Sequence, residues 1–215
     1  MAFSRVLLSI TLSVLTAPAW ATSFFCSPEN QLQYKGINCC NPSISAEVCN
    51  QKIDQLSQST IDRVAKVKQL IDQKVYPDGG YPNCHWNALY EQGVREAVEK
   101  WELLYTEVPG IIARDFVEIS REELKAGDYV AVWFQTQVRE FDEDTHKRVW
   151  FDVGTEVGHS AVYIGDNMVF QKESANSKEF SIQSIDEMFE AYDKGFNSQP
   201  QMRRGQGSLH FYRKK

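Results

Sequence analysis

The 215-residue chain has no apolar run of the roughly 20 residues that a membrane-spanning helix needs; its most apolar stretch, Val6 to Leu15, falls well short. Basic residues form no run before the short Arg203-Arg204 and Arg213-Lys214-Lys215 clusters. With a formal net charge of −6, nucleic acid is not an expected partner. The four histidines and five cysteines show no paired ligand spacing, so no metal is expected, and no other cofactor is implied. No internal repeat is visible. What is present is globular: 42% hydrophobic and 12% aromatic residues, enough to bury a core in one domain with a small N-terminal addition.

Residues 1–21 read as a secretory signal peptide, with Arg5 as the positive region and Ala19-Trp20-Ala21 as the cleavage site. An uncleaved N-terminal anchor is the alternative. With the signal removed, no stable membrane anchor is expected and the location is secreted or periplasmic. Phe24-Phe25 before Cys26 lacks the small residue of a lipoprotein signal.

In such a location an odd number of cysteines leaves one over. Cys26, Cys39, Cys40 and Cys49 lie close enough to form two disulfides within a cysteine-rich segment, residues 22–50. A vicinal Cys39–Cys40 bond would be strained, so each is expected to pair with Cys26 or Cys49. That leaves Cys84 as a buried thiol, a disulfide partner or a nucleophile.

Apolar residues at helical spacing predict a helix from Ser45 to Val75. A second helical region runs from Cys84 to about Tyr105, with Gly93 a break and Val108-Pro109-Gly110 an end. The period then changes. Tyr129–Val138, Val149–Val153, His159–Ile164, Met168–Gln171 and Leu209–Tyr212 are rich in β-branched and aromatic residues. Gly165-Asp166-Asn167 marks a hairpin, and residues 139–148 a charged loop or hairpin tip. Ser184 and Glu187 stand at capping-box positions for a helix to Tyr192. Helices first and strands later predict an α+β fold with an antiparallel sheet.

Cys84 follows Pro82-Asn83, with Asn83 a candidate N-cap. A helix start favours a thiolate, and the thiolate is the attacking form. A nucleophilic thiol needs a base, usually histidine. His85 projects about 100° from Cys84 around a helix and suits packing or substrate contact better. His146 lies among acidic residues and His210 is a reserve candidate. His159 opens the apolar strand HSAVYIG, where a polar residue needs a reason: a base, or a packed and hydrogen-bonded ring. Gln171 and Glu173, two apart on the next strand, share a face and are candidates to orient the imidazole, or simply face solvent.

LKAGDYVAVWF and GHSAVYIGDNMVFQ, downstream of a cysteine opening a helix, resemble papain-fold cell-wall peptidases of the NlpC type and the related CHAP amidases. The resemblance covers about residues 78–175. It implies an order of nucleophile Cys84, turn Gly127-Asp128, base His159 and orienter Gln171, with Glu173 (followed by Asn176) as the CHAP-like alternative. Asn83-Cys84-His85-Trp86 departs from the Asp-Cys-Ser-Gly of NlpC enzymes and is closer to the Cys-x-Trp of CHAP amidases. It also makes Tyr81 a candidate oxyanion contact, with packing as the other role.

The resemblance thus implies a papain-like catalytic domain over residues 51–215, N-terminal helices packed on its sheet. The implied activity is hydrolysis of peptide or amide bonds, with peptidoglycan or a peptide as substrate. A non-catalytic exported binding module on the same fold is the alternative.

Overall fold

The computed structural model describes residues 32–39, 45–75, 82–175, 177–198 and 203–215. The signal-peptide expectation, Cys26, Cys40, Tyr81 and Asn176 lie outside the described residues. The architecture is α+β. An eight-stranded sheet has the order β1 (Leu32–Tyr34), β2 (Ile37–Cys39), β7 (Phe180–Ser184), β6 (Met168–Lys172), β5 (Lys147–Gly165), β4 (Tyr129–Asp142), β8 (Arg203–Lys214), β3 (Phe116–Ile119).

The expectation of a purely antiparallel sheet is corrected at one seam: β2 runs parallel to β7, with Asn38 opposite Ser181 and Cys39 opposite Ile182. The short β1–β2 hairpin turns through Lys35 and Gly36, both at positive φ, and delivers Ile37 and Cys39 into the core. The N-terminal segment is therefore part of the sheet. Cys49, on α1 (Ala46–Asp54), is disulfide-bonded to Cys39 and fastens that helix to β2; the Cα atoms are 6.2 Å apart.

The helix expected over Ser45–Val75 is two. Ser45 caps α1, and Ser57 caps α2 (Gln58–Asp72) by accepting from the Thr60 N–H. Serine competes with the backbone for hydrogen bonds, so it restarts a helix more readily than it continues one. Downstream, α3 (Cys84–Glu91) ends at Gly93, which takes positive φ, and α4 (Arg95–Glu99) follows. Val108-Pro109-Gly110 opens α5 (Val108–Asp115) instead of ending a helix, because proline in the first turn gives up only an N–H that had no partner.

Strands β4 and β5 extend through most of the segment expected as a charged loop, leaving a turn at residues 143–146. The Asp166-Asn167 turn, with both residues at positive φ, closes the β5–β6 hairpin. Ser184 and Glu187 form the expected capping box at the start of α6 (Ile185–Phe196).

Around the start of β4 both faces of the sheet are buried, which is why that strand begins as an unbroken apolar run. Tyr129 and Ala131 point into a core with Ile53, Val64, Trp86, Leu89, Phe170 and Ile182. Val130 and Val132 alternate to the other side and pack with Ala161, Val169 and Met188 of α6. The Gly127-Asp128 turn feeds β4. Gly127 has φ +99°, and the buried Asp128 carboxylate accepts from the Lys125 N–H at 2.7 Å and from Arg213 of β8 at 2.6 and 3.0 Å.

Candidate active site

Helix α3 is held in place residue by residue. Asn83 is its N-cap: its Oδ1 accepts the Trp86 N–H at 2.8 Å and its Nδ2 donates to the Leu103 carbonyl at 2.6 Å. The Trp86 indole stacks on Trp101 at 5.2 Å and donates to the Ala97 carbonyl. From α2 the buried Arg63 donates to Asn87 and to Glu91. Cys84 is thereby fixed at the first helical position, and it is the free cysteine among the described residues.

His159 owes its direction to a β-bulge. Val132 is paired with His159, but Trp133 is paired with Val157, so Gly158 falls out of register. Val157 stays on the Trp133 side, whereas His159 turns to the Val132 side, under α6. Only glycine fits at the bulge: a Cβ on Gly158 would stand 2.5 Å from the Phe134 ring. The His159 ring is wholly buried and stacks on Tyr192 of α6 at 3.7 Å.

His159 Nε2 lies 2.5 Å from Gln171 Oε1, and Gln171 Nε2 donates to Ser181 Oγ at 3.1 Å. A carbonyl oxygen only accepts, so Nε2 carries the proton and Nδ1 is the basic nitrogen. Nδ1 is buried without a hydrogen-bond partner. Gln171 thus meets His159 as expected. Glu173 lines the cleft that also holds Cys84.

The thiol reaches the same strand. The Ser160 backbone N–H is directed at the Cys84 sulfur, one residue from His159. Ser160 Oγ is shared by His85 Nδ1 at 2.7 Å and the Tyr129 hydroxyl at 2.5 Å. His85 is accordingly a buried anchor between helix and sheet. His146 sits in the β4–β5 turn against Phe141, and His210 lies on β8, which pairs with β4 and β3.

Burial dominates the electrostatics. It pushes the Cys84 thiol up to about 11, against the pull of the Ser160 N–H, the Lys172 ammonium and the first N–H groups of α3. The helix-start placement is as expected; its lowering of the thiol is outweighed by desolvation. Burial likewise holds His85 down to about 4 and His159 well below the ordinary imidazole range. Thiol and imidazole are each neutral at rest. Burial, reinforced by Glu179, raises Glu173 to about 7.

Lys172, Ser160 and Tyr192 were not singled out by sequence reasoning. Lys172 is fully buried, and its ammonium donates to the carbonyls of Ser174 and Ser177, which fastens one wall of the cleft. A lysine in register with the core face of MVFQK was the available signal. Cys84, His85, Leu103, Glu156, Glu173 and Tyr192 line a cleft of about 470 Å3. Among the described residues no group of three or more His, Cys, Asp or Glu side chains is placed to hold a metal ion.

No protein-family model matches the chain, and no curated protein or solved structure is significantly similar to it.

Proposed function

We propose that this chain is an exported cysteine hydrolase of papain-like fold that cleaves peptide or amide bonds, with peptidoglycan as its substrate and a secreted or periplasmic location. The observation that carries the reading is the state of His159: one ring nitrogen is committed to Gln171, and the other is basic, buried and unpartnered, one residue from the N–H aimed at Cys84. A packed structural histidine would have both nitrogens satisfied.

In this reading His159 Nδ1 takes the thiol proton as Cys84 sulfur bonds to the substrate carbonyl carbon. The negative oxygen is met by the Cys84 N–H, with Tyr81 as the further candidate. The imidazolium then gives its proton to the departing amine as the C–N bond breaks. Water attacks the thioester, and the thiol is regenerated with the acid product. Gln171 holds the ring and its tautomer throughout.

The test is incubation of the pure protein with peptidoglycan fragments, with products read by mass spectrometry. New amine and carboxylate termini that vanish in Cys84→Ser support the reading; undiminished cleavage by that variant sinks it. A non-catalytic exported binding module on the same architecture is the second reading. It is favoured by the buried thiol with its pKa of about 11.

A further inference from the structure

A second concavity, of about 430 Å3, lies beside the cysteine cleft, on the face of the sheet that carries Trp133. The two share a wall: Val157, which lines the cysteine cleft, is the strand partner of Trp133, which lines this groove. Its floor is aromatic. His210 lies edge-on to Trp133 at 5.9 Å and parallel to Tyr212 at 6.3 Å. Around the floor stand side chains that donate and accept hydrogen bonds. Gln135 and Gln206 face each other across β4 and β8, and Thr155 is Gln135's partner on β5.

One part of that polar array is already fixed. His210 Nδ1–H donates to the Glu118 carboxylate at 2.7 Å, and the Ser208 hydroxyl donates to His210 Nε2 at 3.0 Å. The order mimics a serine nucleophile with its base and carboxylate. The backbone argues against that use. Strand N–H groups lie in the plane of the sheet, not above the face where Ser208 Oγ stands, so none converges on a developing oxyanion there.

What the groove offers is planar rings and oriented amide, hydroxyl and carboxylate groups, with no lysine or arginine among the described residues that line it. A phosphate or polycarboxylate ligand would meet no cation among those residues. A sugar ring matches the set: its C–H face stacks on an aromatic plane while its hydroxyls pair with amides and carboxylates held in advance. We propose that this groove binds an uncharged saccharide chain next to the cysteine cleft. The proposal rests on the peptidoglycan reading only for its choice of sugar, an N-acetylated glycan.

The test uses the folded Cys84→Ser protein and a soluble chitooligosaccharide, with binding followed by tryptophan fluorescence and calorimetry. Saturable binding is expected, weakened at least about tenfold by Gln206→Ala and by His210→Ala. Both variants are first checked for native circular dichroism, and Gln206, being exposed, serves as the fold-neutral probe. Absence of saturable binding, or equal binding by Gln206→Ala, overturns the proposal. So does labelling of Ser208 by a fluorophosphonate, which would make it a nucleophile. Glycan binding by a protein that hydrolyses nothing supports the groove and counts against the cysteine reading alone.

Discussion

His159 donates its Nε2–H to Gln171 Oε1 across 2.5 Å, so one hydrogen bond decides which face of the imidazole is basic. Gln171→Ala is expected to lower kcat by about 10²-fold with little change in KM, because the ring loses its tautomer lock while substrate contacts remain. Gln171→Glu tests the same point from the other side: a carboxylate also accepts from Nε2–H and is expected to restore most of the rate. Equal rates for wild type and Gln171→Ala would remove Gln171 from the machinery.

Cys84 carries its proton at neutral pH in the free protein, since burial raises the thiol to about 11. Its alkylation by iodoacetamide is expected to climb steadily from pH 7 to 10, as the thiolate fraction grows. His159 is held below the ordinary imidazole value near 6.5, so its basic form survives into more acidic solution. The acid limb of kcat/KM is therefore expected below pH 6.5. A fast alkylation plateau in mild acid would mean a preformed thiolate–imidazolium pair and would contradict both halves of this prediction.

Glu173 gives a stability signature of opposite kind. Its folded pKa of about 7 lies above the model-peptide carboxyl value, so the fold favours the protonated form. Above pH 7 the native state must carry a partly buried carboxylate, a cost of at most about 3 kcal/mol, less what solvent screening in the cleft removes, that disappears as pH falls toward the unfolded value near 4.5. Glu173→Gln is expected to raise the melting temperature more at pH 8 than at pH 5. Thermal unfolding of both proteins at the two pH values measures it; an equal change at both would refute the linkage.

At Gly158, Gly158→Ala places a methyl group 2.5 Å from the Phe134 ring, inside a bulge that sets the direction of His159. The expected loss is about 1–3 kcal/mol of stability, with a fall in kcat beyond what unfolding explains. Chemical denaturation and turnover of the remaining folded protein separate the two effects.

The Cys39–Cys49 bond closes a loop of sequence separation 10, for which chain entropy gives about 2–3 kcal/mol. The double variant Cys39→Ala, Cys49→Ala is expected to lose that much in denaturant titrations. Full stability in the double variant would show that β2 and α1 are held by packing alone.

The sequence exposed the parts of the site whose signals are local. Asn83 ahead of Cys84 is a cap by composition, and it caps. Ser184 with Glu187 is a capping box, and it forms. Gln171 stood out as a polar residue in an apolar strand and meets His159. What was hidden depends on residues distant in sequence. Gly158 looks like an ordinary glycine until the register with Trp133 shows that it flips His159 to the α6 side. Tyr192 belongs to a helix whose seat over His159 is a matter of tertiary packing. The thiol pKa followed the same rule: the helix start is visible in the chain, whereas the burial that outweighs it is not. The parallel β2–β7 seam joins segments with most of the chain between them, and no periodicity announces such a partner.

The order of strands in the sheet also governs when the molecule can be finished. β4 lies in the interior of the sheet, yet one of its two neighbours, β8, follows every other strand of the sheet in the chain, and β2 waits at the far side for residues 180–184. Until the final strand is available, β4 presents an unpaired apolar edge and the sheet is open where it is stickiest. Folding during synthesis can therefore collect helices early but cannot close the sheet before β8 emerges. Loss of β8 would expose an interior strand, so a chain lacking it is expected to aggregate instead of persisting in a slightly weaker fold.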